Sequence, residues 1–127
     1  MTPRVSVVIV NYNTAALLAD CLASLEGQQG LIGEVVVVDN ASADDSVALV
    51  EQRFPAVRLI AGTENIGFGR ANNLAAADFS GEFLFLLNPD TRIAPGCIQA
   101  LLDYMEAHPE IGMAGAATFN DDGSPQP

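Results

Sequence analysis

Three mainly apolar runs of this sequence end abruptly in polar side chains that could do chemistry. In chain order, Asn11-Tyr12-Asn13 follow Val5–Val10, Asp39-Asn40 follow Val35–Val38, and Asn88-Pro89-Asp90 follow Leu84–Leu87. Short apolar runs bounded by turn residues are typical of buried strands. Ligands of open α/β sheets bind beyond the carboxyl ends of such strands, so these side chains predict a site for a polar ligand.

Asp90 is the candidate metal ligand. Mg²⁺ and Mn²⁺ prefer oxygen ligands, and they commonly combine one or two protein carboxylates with the phosphates of a substrate. Asp90 together with a diphosphate fits that habit, and Asn88 could add an amide oxygen or hold the turn. The alternative is an Asx-type turn, in which both side chains bond the local backbone. From these residues alone both interpretations stay open.

Asp39 and Tyr12 are the candidate residues for a planar, hydrogen-bonding ligand. A carboxylate at the end of a strand could accept hydrogen bonds from the N–H groups of a ligand. Alternatively, Asp39 shapes the turn while Ser42 caps the following helix. The ring of Tyr12 could stack on a base, although an exposed aromatic ring beside a crevice does not by itself indicate a ligand.

The segment Asn65–Arg70 places glycines directly before a predicted helix. Gly67 would allow backbone N–H groups to approach phosphate oxygens at a helix N-terminus, and Arg70 could bind a phosphate directly. The segment is neither a Walker loop, since the chain has no Lys, nor the dinucleotide fingerprint, since the third glycine is missing. The alternative is a simple helix-starting turn with an exposed Arg.

Composition limits the classes of partner. The 127 residues suffice for one domain with a core. The net charge of −11 and the absence of Lys exclude nucleic-acid binding and disfavour an anionic membrane surface. A phosphorylated ligand would also be repelled unless a cation offsets the field. With no apolar run near the roughly 18 residues of a membrane helix and no signal peptide, the sequence predicts a cytoplasmic protein, or one peripheral to the inner face of the membrane.

Strand and helix patterns alternate along the chain and predict the elements that position these residues. The predicted strands are Val5–Val10, Glu34–Asp39, Val57–Ala61 and Phe83–Leu87, with a further extended segment at Ile111–Phe119. The predicted helices run from Thr14 to about Glu26, from Ser42 to about Arg53, over residues 67–79, and from a first turn at Pro95. Cys21 and Cys97 fall on helices as buried reduced thiols, His108 is a C-terminal cap, and residues 120–127 form a loop.

These patterns predict an α/β fold, with a mostly parallel sheet covered by helices on both faces. Right-handed crossovers lead to the strand order 3-2-1-4, with the topological switch point between strands 1 and 4. Asn11, Asp39 and Asp90 follow strands 1, 2 and 4. The fold rule and the sequence pattern therefore predict that they share one crevice.

Four stretches, taken together and in order, resemble the N-terminal half of a family-2 glycosyltransferase with the Rossmann-like GT-A fold. They are Val5–Asn13, Val36–Ser42, Glu64–Asn73 and Phe85–Asp90. The Asn-Pro-Asp form is most similar to the rhamnosyltransferase-like branch of that family.

The resemblance implies a role for each candidate residue. The ends of strands 1 and 2, with Asn11, Tyr12 and Asp39, would bind the base. Tyr12 would lie near it and Asp39 would bond the N–H of uracil or thymine, which implies a UDP- or dTDP-linked sugar. Asn65, Gly67 and Arg70 would line the nucleotide pocket. Asp90 matches the last Asp of the family's Asp-x-Asp metal motif and Asn88 stands in place of the first, which implies Mg²⁺ or Mn²⁺ arriving with the nucleotide sugar.

The resemblance also implies that donor binding and acceptor binding belong to different halves of the enzyme. This chain would be the donor-binding half of an inverting enzyme, truncated before the half that binds a saccharide or lipid-linked acceptor. The catalytic general base is expected beyond residue 127, so the fragment alone would be inactive. The alternative function is a non-catalytic nucleotide-binding or self-associating fragment. A receiver domain is excluded, because it would need an acidic cluster after strand 1 and a late Lys.

Overall fold

The computed structural model describes residues 4–28 and 30–126, which fall into two compact units divided between Ile93 and Ala94. The elements of the first unit are β1 (Val5–Asn11), α1 (Ala15–Leu25), β2 (Ile32–Asp39), α2 (Ser46–Arg53), β3 (Arg58–Ala61), α3 (Phe68–Ala76) and β4 (Phe83–Leu87). The second unit contains α4 (Cys97–Ala107).

The four strands form one parallel sheet in the order β3-β2-β1-β4, which confirms the predicted order and the α/β fold class. Asn11 pairs with Asp39 across β1 and β2, and Ile9 pairs with Leu87 across β1 and β4. The carboxyl ends of β1, β2 and β4 therefore lie side by side. The three polar turns predicted from the sequence emerge from that edge.

The core lies on both faces of the sheet. On one face, alternate residues of β1 and β2 pack against the small side chains Ala71 and Ala75 of α3. The intervening residues, such as Val7 and Ile9, point to the opposite face and are equally buried. Right-handed crossovers place α1 and α2 on that face, where the two helices contact each other. Burial on both faces explains why these strands read as continuous apolar runs.

Several predicted boundaries were wrong. Helix α2 begins at Ser46 and not near Ser42, since Ser42 bonds the end of β2 instead. Helix α4 begins at Cys97 after Gly96 in the left-handed conformation, so Pro95 lies before the helix and not in its first turn. The predicted extended segment Ile111–Phe119 forms no strand among the described residues. Only Phe119 pairs, in an isolated bridge to Pro125.

The remaining elements agree with the sequence to within a few residues. Cys21 and Cys97 lie on helices as free thiols, but only Cys21 is fully buried and Cys97 is half-buried. His108 occupies the C-cap of α4, and its N–H donates to the carbonyl of Tyr104 at 3.1 Å. Across residues 4–28 and 30–126, a helix long and apolar enough to cross a membrane is absent.

Candidate functional site

A cleft of about 480 Å³ opens at the carboxyl ends of β1, β2 and β4, within the first unit. Five of the predicted site residues line it: Tyr12, Asn65, Gly67, Asn88 and Asp90. The other lining residues are Val10, Thr14, Leu17, Asn40, Phe68 and Pro89. We call residues 11–15 and 39–46 the β1–β2 rim, and residues 88–93 the β4 rim.

Asn11 and Asp39 form a buried pair within the β1–β2 rim, with 0% and 2% of their surfaces exposed. The Asn11 Nδ2 donates to Asp39 Oδ1 at 3.0 Å. The Asn11 Oδ1 accepts from the hydroxyl of Thr14 at 2.7 Å. Thr14 occupies the N-cap position of α1, as predicted, but this bond replaces the expected side-chain cap of the helix.

Ser42 donates two further hydrogen bonds to the Asp39 carboxylate. Its backbone N–H donates to Oδ2 at 2.9 Å and its hydroxyl donates to Oδ1 at 2.7 Å. The turn-shaping interpretation of Asp39 is thus realised in the structure. Because the carboxylate is almost fully buried and bonded internally, it offers a ligand little surface. Its contact with a base stays a prediction.

Tyr12 directly follows Asn11 in the chain, and 51% of its surface is exposed. The next residue, Asn13, has a φ of 53°. Its N–H donates to the Ser42 Oγ at 2.9 Å, and its Oδ1 accepts from the Ala43 N–H at 2.7 Å. Sequence reasoning did not single out Asn13. The available signal was that Asn tolerates the left-handed region better than most residues.

Asp44 serves two helix N-termini at once, which the sequence also did not reveal. Its Oδ2 accepts from the N–H of Ala15 at the start of α1 at 3.1 Å. Its Oδ1 accepts from both the N–H and the hydroxyl of Ser46 at the start of α2, at 3.0 Å and 2.5 Å. The bond from the Ser46 hydroxyl is the main reason why the pKa of Asp44 lies below its usual value. A negative charge is stabilising at a helix N-terminus, and this side chain links the starts of both helices.

Asn40 ties the end of β2 to the loop before α3. Its Oδ1 accepts from the N–H of Ile66 at 3.3 Å, and its Nδ2 donates to the carbonyl of Gly67 at 3.3 Å. The side chain of Asn65 accepts from the N–H of Gly67 at 2.9 Å. Gly67 has a φ of 83°, which favours glycine, and precedes a helix start without a side-chain cap. Arg70, predicted to line the pocket, is exposed on α3 and is not part of the cleft lining.

The β4 rim is built from the main chain. The carbonyl of Asn88 accepts from the hydroxyl of Thr91 at 2.7 Å and lies 3.7 Å from the Cys21 thiol. The N–H of Ile93 donates to the Ser24 Oγ at 2.9 Å. The side chains of Asn88 and Asp90 are exposed.

Burial raises the pKa of the Cys21 thiol to about 11, the bond with Thr91 opposes that shift, and the charge of Asp90 adds to it. This thiol packs below the β4 rim as a small, uncharged group. The sequence prediction of a buried reduced thiol at Cys21 therefore fits its position.

The described residues contain no cluster of three or more His, Cys, Asp or Glu side chains that could cage a metal. Asp90 is the single carboxylate in the lining of the cleft, and the amide of Asn88 accompanies it. This oxygen donor set fits a hard cation that draws its remaining ligands from a bound phosphate and water. It does not fit a metal held by the protein alone.

The sequence matches the model of the family described as Glycosyl transferase family 2 over residues 6–126. The N-acetylglucosaminyl-diphospho-decaprenol L-rhamnosyltransferase of Mycobacterium tuberculosis is 34% identical, over 100% of this chain and 45% of that protein. The succinoglycan biosynthesis protein ExoO of Rhizobium meliloti is 35% identical, over 83% of this chain and 30% of that protein. The chain thus spans less than half the length of these relatives.

Solved structures of similar proteins also superpose on this chain. A mannosyltransferase from Pyrobaculum calidifontis in complex with GDP-Man and Mn²⁺ superposes with a TM-score of 0.74 and 29% identity, covering 83% of this chain and 33% of that chain. Residues 1–349 of TarS from S. aureus, in complex with UDP-GlcNAc, give a TM-score of 0.70 and 27% identity, covering 83% of this chain and 32% of that chain.

Proposed function

The chain belongs to glycosyl transferase family 2 and has the GT-A fold, as predicted from its motifs, and from this premise we propose that it binds a nucleoside-diphosphate sugar. The observation that carries the proposal is the cleft itself. It presents an exposed aromatic ring on the β1–β2 rim and an exposed carboxylate on the β4 rim. Those are the two chemistries that a base and a metal-bound diphosphate require.

In this proposal the β1–β2 rim receives the base. The ring of Tyr12 stacks on it, and Asp39 accepts a hydrogen bond from the N–H of the base through the small part of its surface that is exposed. We propose a sugar donor linked to UDP or dTDP, as the family resemblance implies. TarS in complex with UDP-GlcNAc supports a uridine nucleotide, and the M. tuberculosis relative named a rhamnosyltransferase supports the same branch of the family.

The β4 rim and the start of α3 receive the diphosphate. Asp90, assisted by Asn88, would hold Mg²⁺ or Mn²⁺, which neutralises charge on the departing nucleoside diphosphate when it is bound. The Mn²⁺ in the mannosyltransferase complex supports this cofactor. The loop at Asn65 and Gly67 turns the uncapped N-terminus of α3 towards the cleft. Such backbone N–H groups favour phosphate oxygens, so they would oppose the repulsion from a chain of net charge −11.

Transfer itself belongs to the whole enzyme. We propose that the hydroxyl of a saccharide or lipid-linked acceptor attacks the anomeric carbon with inversion, and that a general base outside this cleft removes its proton. The lining of the cleft supports that division, because its single carboxylate, Asp90, is assigned to the cation.

Thermal denaturation tests the donor site directly. We would measure Tm with UDP, dTDP, GDP and ADP, each with and without Mn²⁺. At a hundredfold excess over Kd, a ligand specific for the folded state stabilises it by about 2.7 kcal/mol. We expect metal-dependent shifts with UDP or dTDP that disappear in Asp90→Ala. Asp20→Ala, which removes an exposed carboxylate outside the cleft, is the matched control. No shift with any nucleotide, or an equal shift in Asp90→Ala, would contradict the proposal.

Self-association is a second candidate function, favoured by one observation. Strand β4 is the edge of the described sheet, its sequence is wholly apolar, and Leu86 is 49% exposed. An exposed apolar edge can pair with another chain. Light scattering would separate the two candidates. A dimer that Leu86→Lys converts to a monomer supports pairing through β4, whereas a monomeric wild-type protein contradicts it.

A further inference from the structure

The short loop that carries Tyr12 is bonded to the loop after β2. Asn13 makes both bonds of what we call the Asn13 bridge: its N–H donates to Ser42 Oγ and its Oδ1 accepts from the Ala43 N–H. Ser42 is in turn bonded to Asp39, and Asp39 to Asn11. The backbone on both sides of Tyr12 is therefore anchored to the end of the neighbouring strand.

This anchoring matters because Tyr12 is half-exposed. An exposed side chain on an unrestrained loop samples several orientations, and ordering it on binding costs affinity. Fixing the backbone at Asn11 and Asn13 restricts where the ring can point before any ligand arrives. The same principle makes pre-ordered binding sites tighter than adaptable ones.

We propose that Asn13 is a positioning residue, which holds the Tyr12 ring over the cleft in the free protein. The inference rests on the proposed function, because it assumes that the cleft receives a nucleotide base. Asn13 acts through Tyr12 and through the loop after β2, and it does not itself line the cleft.

Two separate requirements explain why Asn suits this position. A φ of 53° lies in the left-handed region, which Asn, Asp and Gly tolerate better than Ala. The bond from Ala43 requires an acceptor oxygen on the side chain. Asp satisfies both requirements, Gly satisfies only the first, and Ala satisfies neither. The three substitutions therefore separate backbone strain from the lost hydrogen bond.

The chain allows Tyr12 to report on its own order. It has two Tyr and no Trp, so a Tyr104→Phe background leaves Tyr12 as the sole source of tyrosine fluorescence. In nucleotide-free protein we expect the anisotropy of Tyr12 to be retained in Asn13→Asp, reduced in Asn13→Gly and lowest in Asn13→Ala. Accessibility to acrylamide should rise in the same order. Unchanged anisotropy in Asn13→Ala would overturn the proposal.

Ser6→Ala is the matched control for general loosening. Ser6 is buried near the amino end of β1, at the opposite end of the strands from the cleft. Its Oγ accepts from the Gly81 N–H and donates to Glu34. Its loss should lower the free energy of unfolding without changing Tyr12. An equal fall of Tyr12 anisotropy in Ser6→Ala and Asn13→Ala would refute a specific role of the Asn13 bridge.

The second arm measures nucleotide affinity in the uncharged variants. We expect Kd for the UDP–Mn²⁺ or dTDP–Mn²⁺ pair to rise about threefold to tenfold in Asn13→Ala and less in Asn13→Gly. This fold-change corresponds to the free energy of ordering one side chain on binding. An unchanged Kd in Asn13→Ala would overturn the positioning role. If the wild-type protein binds no nucleotide, the proposed function fails, whereas the anisotropy series in free protein still decides whether Asn13 orders Tyr12.

Discussion

The two rims of the cleft are built in opposite ways. On the β1–β2 rim the polar side chains Asn11, Asp39 and Asn40 are buried and bonded to one another or to neighbouring backbone. On the β4 rim the side chains of Asn88 and Asp90 are exposed, and the turn is held through the main-chain carbonyl of Asn88. One rim is complete in the free protein, and the other presents its oxygen atoms to solvent.

The difference follows from what each rim is proposed to bind. A base is a neutral, planar group, and a rim that is already ordered recognises it without loss of entropy. In the proposed function a cation arrives with the diphosphate, and a carboxylate that was buried there beforehand without a partner would carry a large desolvation cost. Under that proposal the exposure of Asp90 avoids this cost until the metal and the diphosphate bind. In this proposal the β1–β2 rim has a structural role and the β4 rim binds charge.

The largest effect on stability should come from Asp39→Asn. Asp39 accepts hydrogen bonds from Asn11 Nδ2, Ser42 Oγ and the Ser42 N–H. The variant keeps the shape of the side chain but replaces one accepting oxygen by an NH₂ group, which then faces a donor. A buried donor without an acceptor costs about 1–3 kcal/mol, and bonds to a charged acceptor are among the stronger ones. We expect the free energy of unfolding in urea to fall by about 2–3 kcal/mol. The exposed control Asp20→Asn should change it by less than about 0.5 kcal/mol. Equal effects of the two variants would contradict the assignment of Asp39 as a structural centre.

The next largest effect is a loss of stability at alkaline pH, caused by the Cys21 thiol that packs below the β4 rim. Burial raises the pKa of the Cys21 thiol from 9.0 to about 11. Between these values the unfolded chain releases the proton while the folded chain keeps it, so stability is full below pH 9 and falls as pH rises towards 11. The difference could reach about 2–3 kcal/mol, at roughly 1.4 kcal/mol per pKa unit. Urea denaturation of the metal-free protein at several pH values should show a steeper decline for the wild type than for Cys21→Ala. Parallel declines would show that Cys21 is not the group responsible.

The sequence predicted the backbone of this site well. Alternation of strands and helices, together with the handedness of crossovers, was enough for the order 3-2-1-4 and for placing three polar turns at one edge. These features depend on burial, which apolar runs record directly. Tyr12 and Asp90, on the short turns directly after β1 and β4, therefore line the cleft, and their roles in binding stay predictions.

Side-chain partnerships could not be read in the same way. Ser42 and Thr14 have the types and positions of helix caps, yet both bond residues at the ends of β1 and β2. Asp44 caps α1 from the loop after β2, a separation of 29 residues along the chain. Such choices depend on which loops the fold brings together, and local spacing carries no information about them. Arg70 lies outside the cleft lining, and its predicted contact with a phosphate stays a prediction.

A smaller effect is expected at the far end of the β4 rim. The Ser24 hydroxyl donates to the carbonyl of Cys21 at 2.6 Å and accepts from the N–H of Ile93 at 2.9 Å. Ser24→Ala removes a side-chain bond that ties Ile93, at the end of this turn, to α1. We expect a loss of about 1 kcal/mol in the free energy of unfolding. Nucleotide binding with Mn²⁺ should weaken while the Tyr12 anisotropy stays unchanged. A change of that anisotropy would show that the two rims are not independent.

The smallest effect on stability should come from Asp90→Ala, the variant with the largest expected effect on metal-dependent binding. The side chain is exposed, and substitutions at such positions usually change stability by less than about 0.5 kcal/mol. Removing one carboxylate from a chain of net charge −11 also reduces self-repulsion, which opposes any loss. We therefore expect an unchanged Tm without ligand, and no Mn²⁺-dependent shift with UDP or dTDP. Asp39→Asn should instead lower Tm in every condition. If Asp90→Ala were as destabilising as Asp39→Asn, the β4 rim would be a structural element like the β1–β2 rim, and its exposure would no longer indicate a cation site.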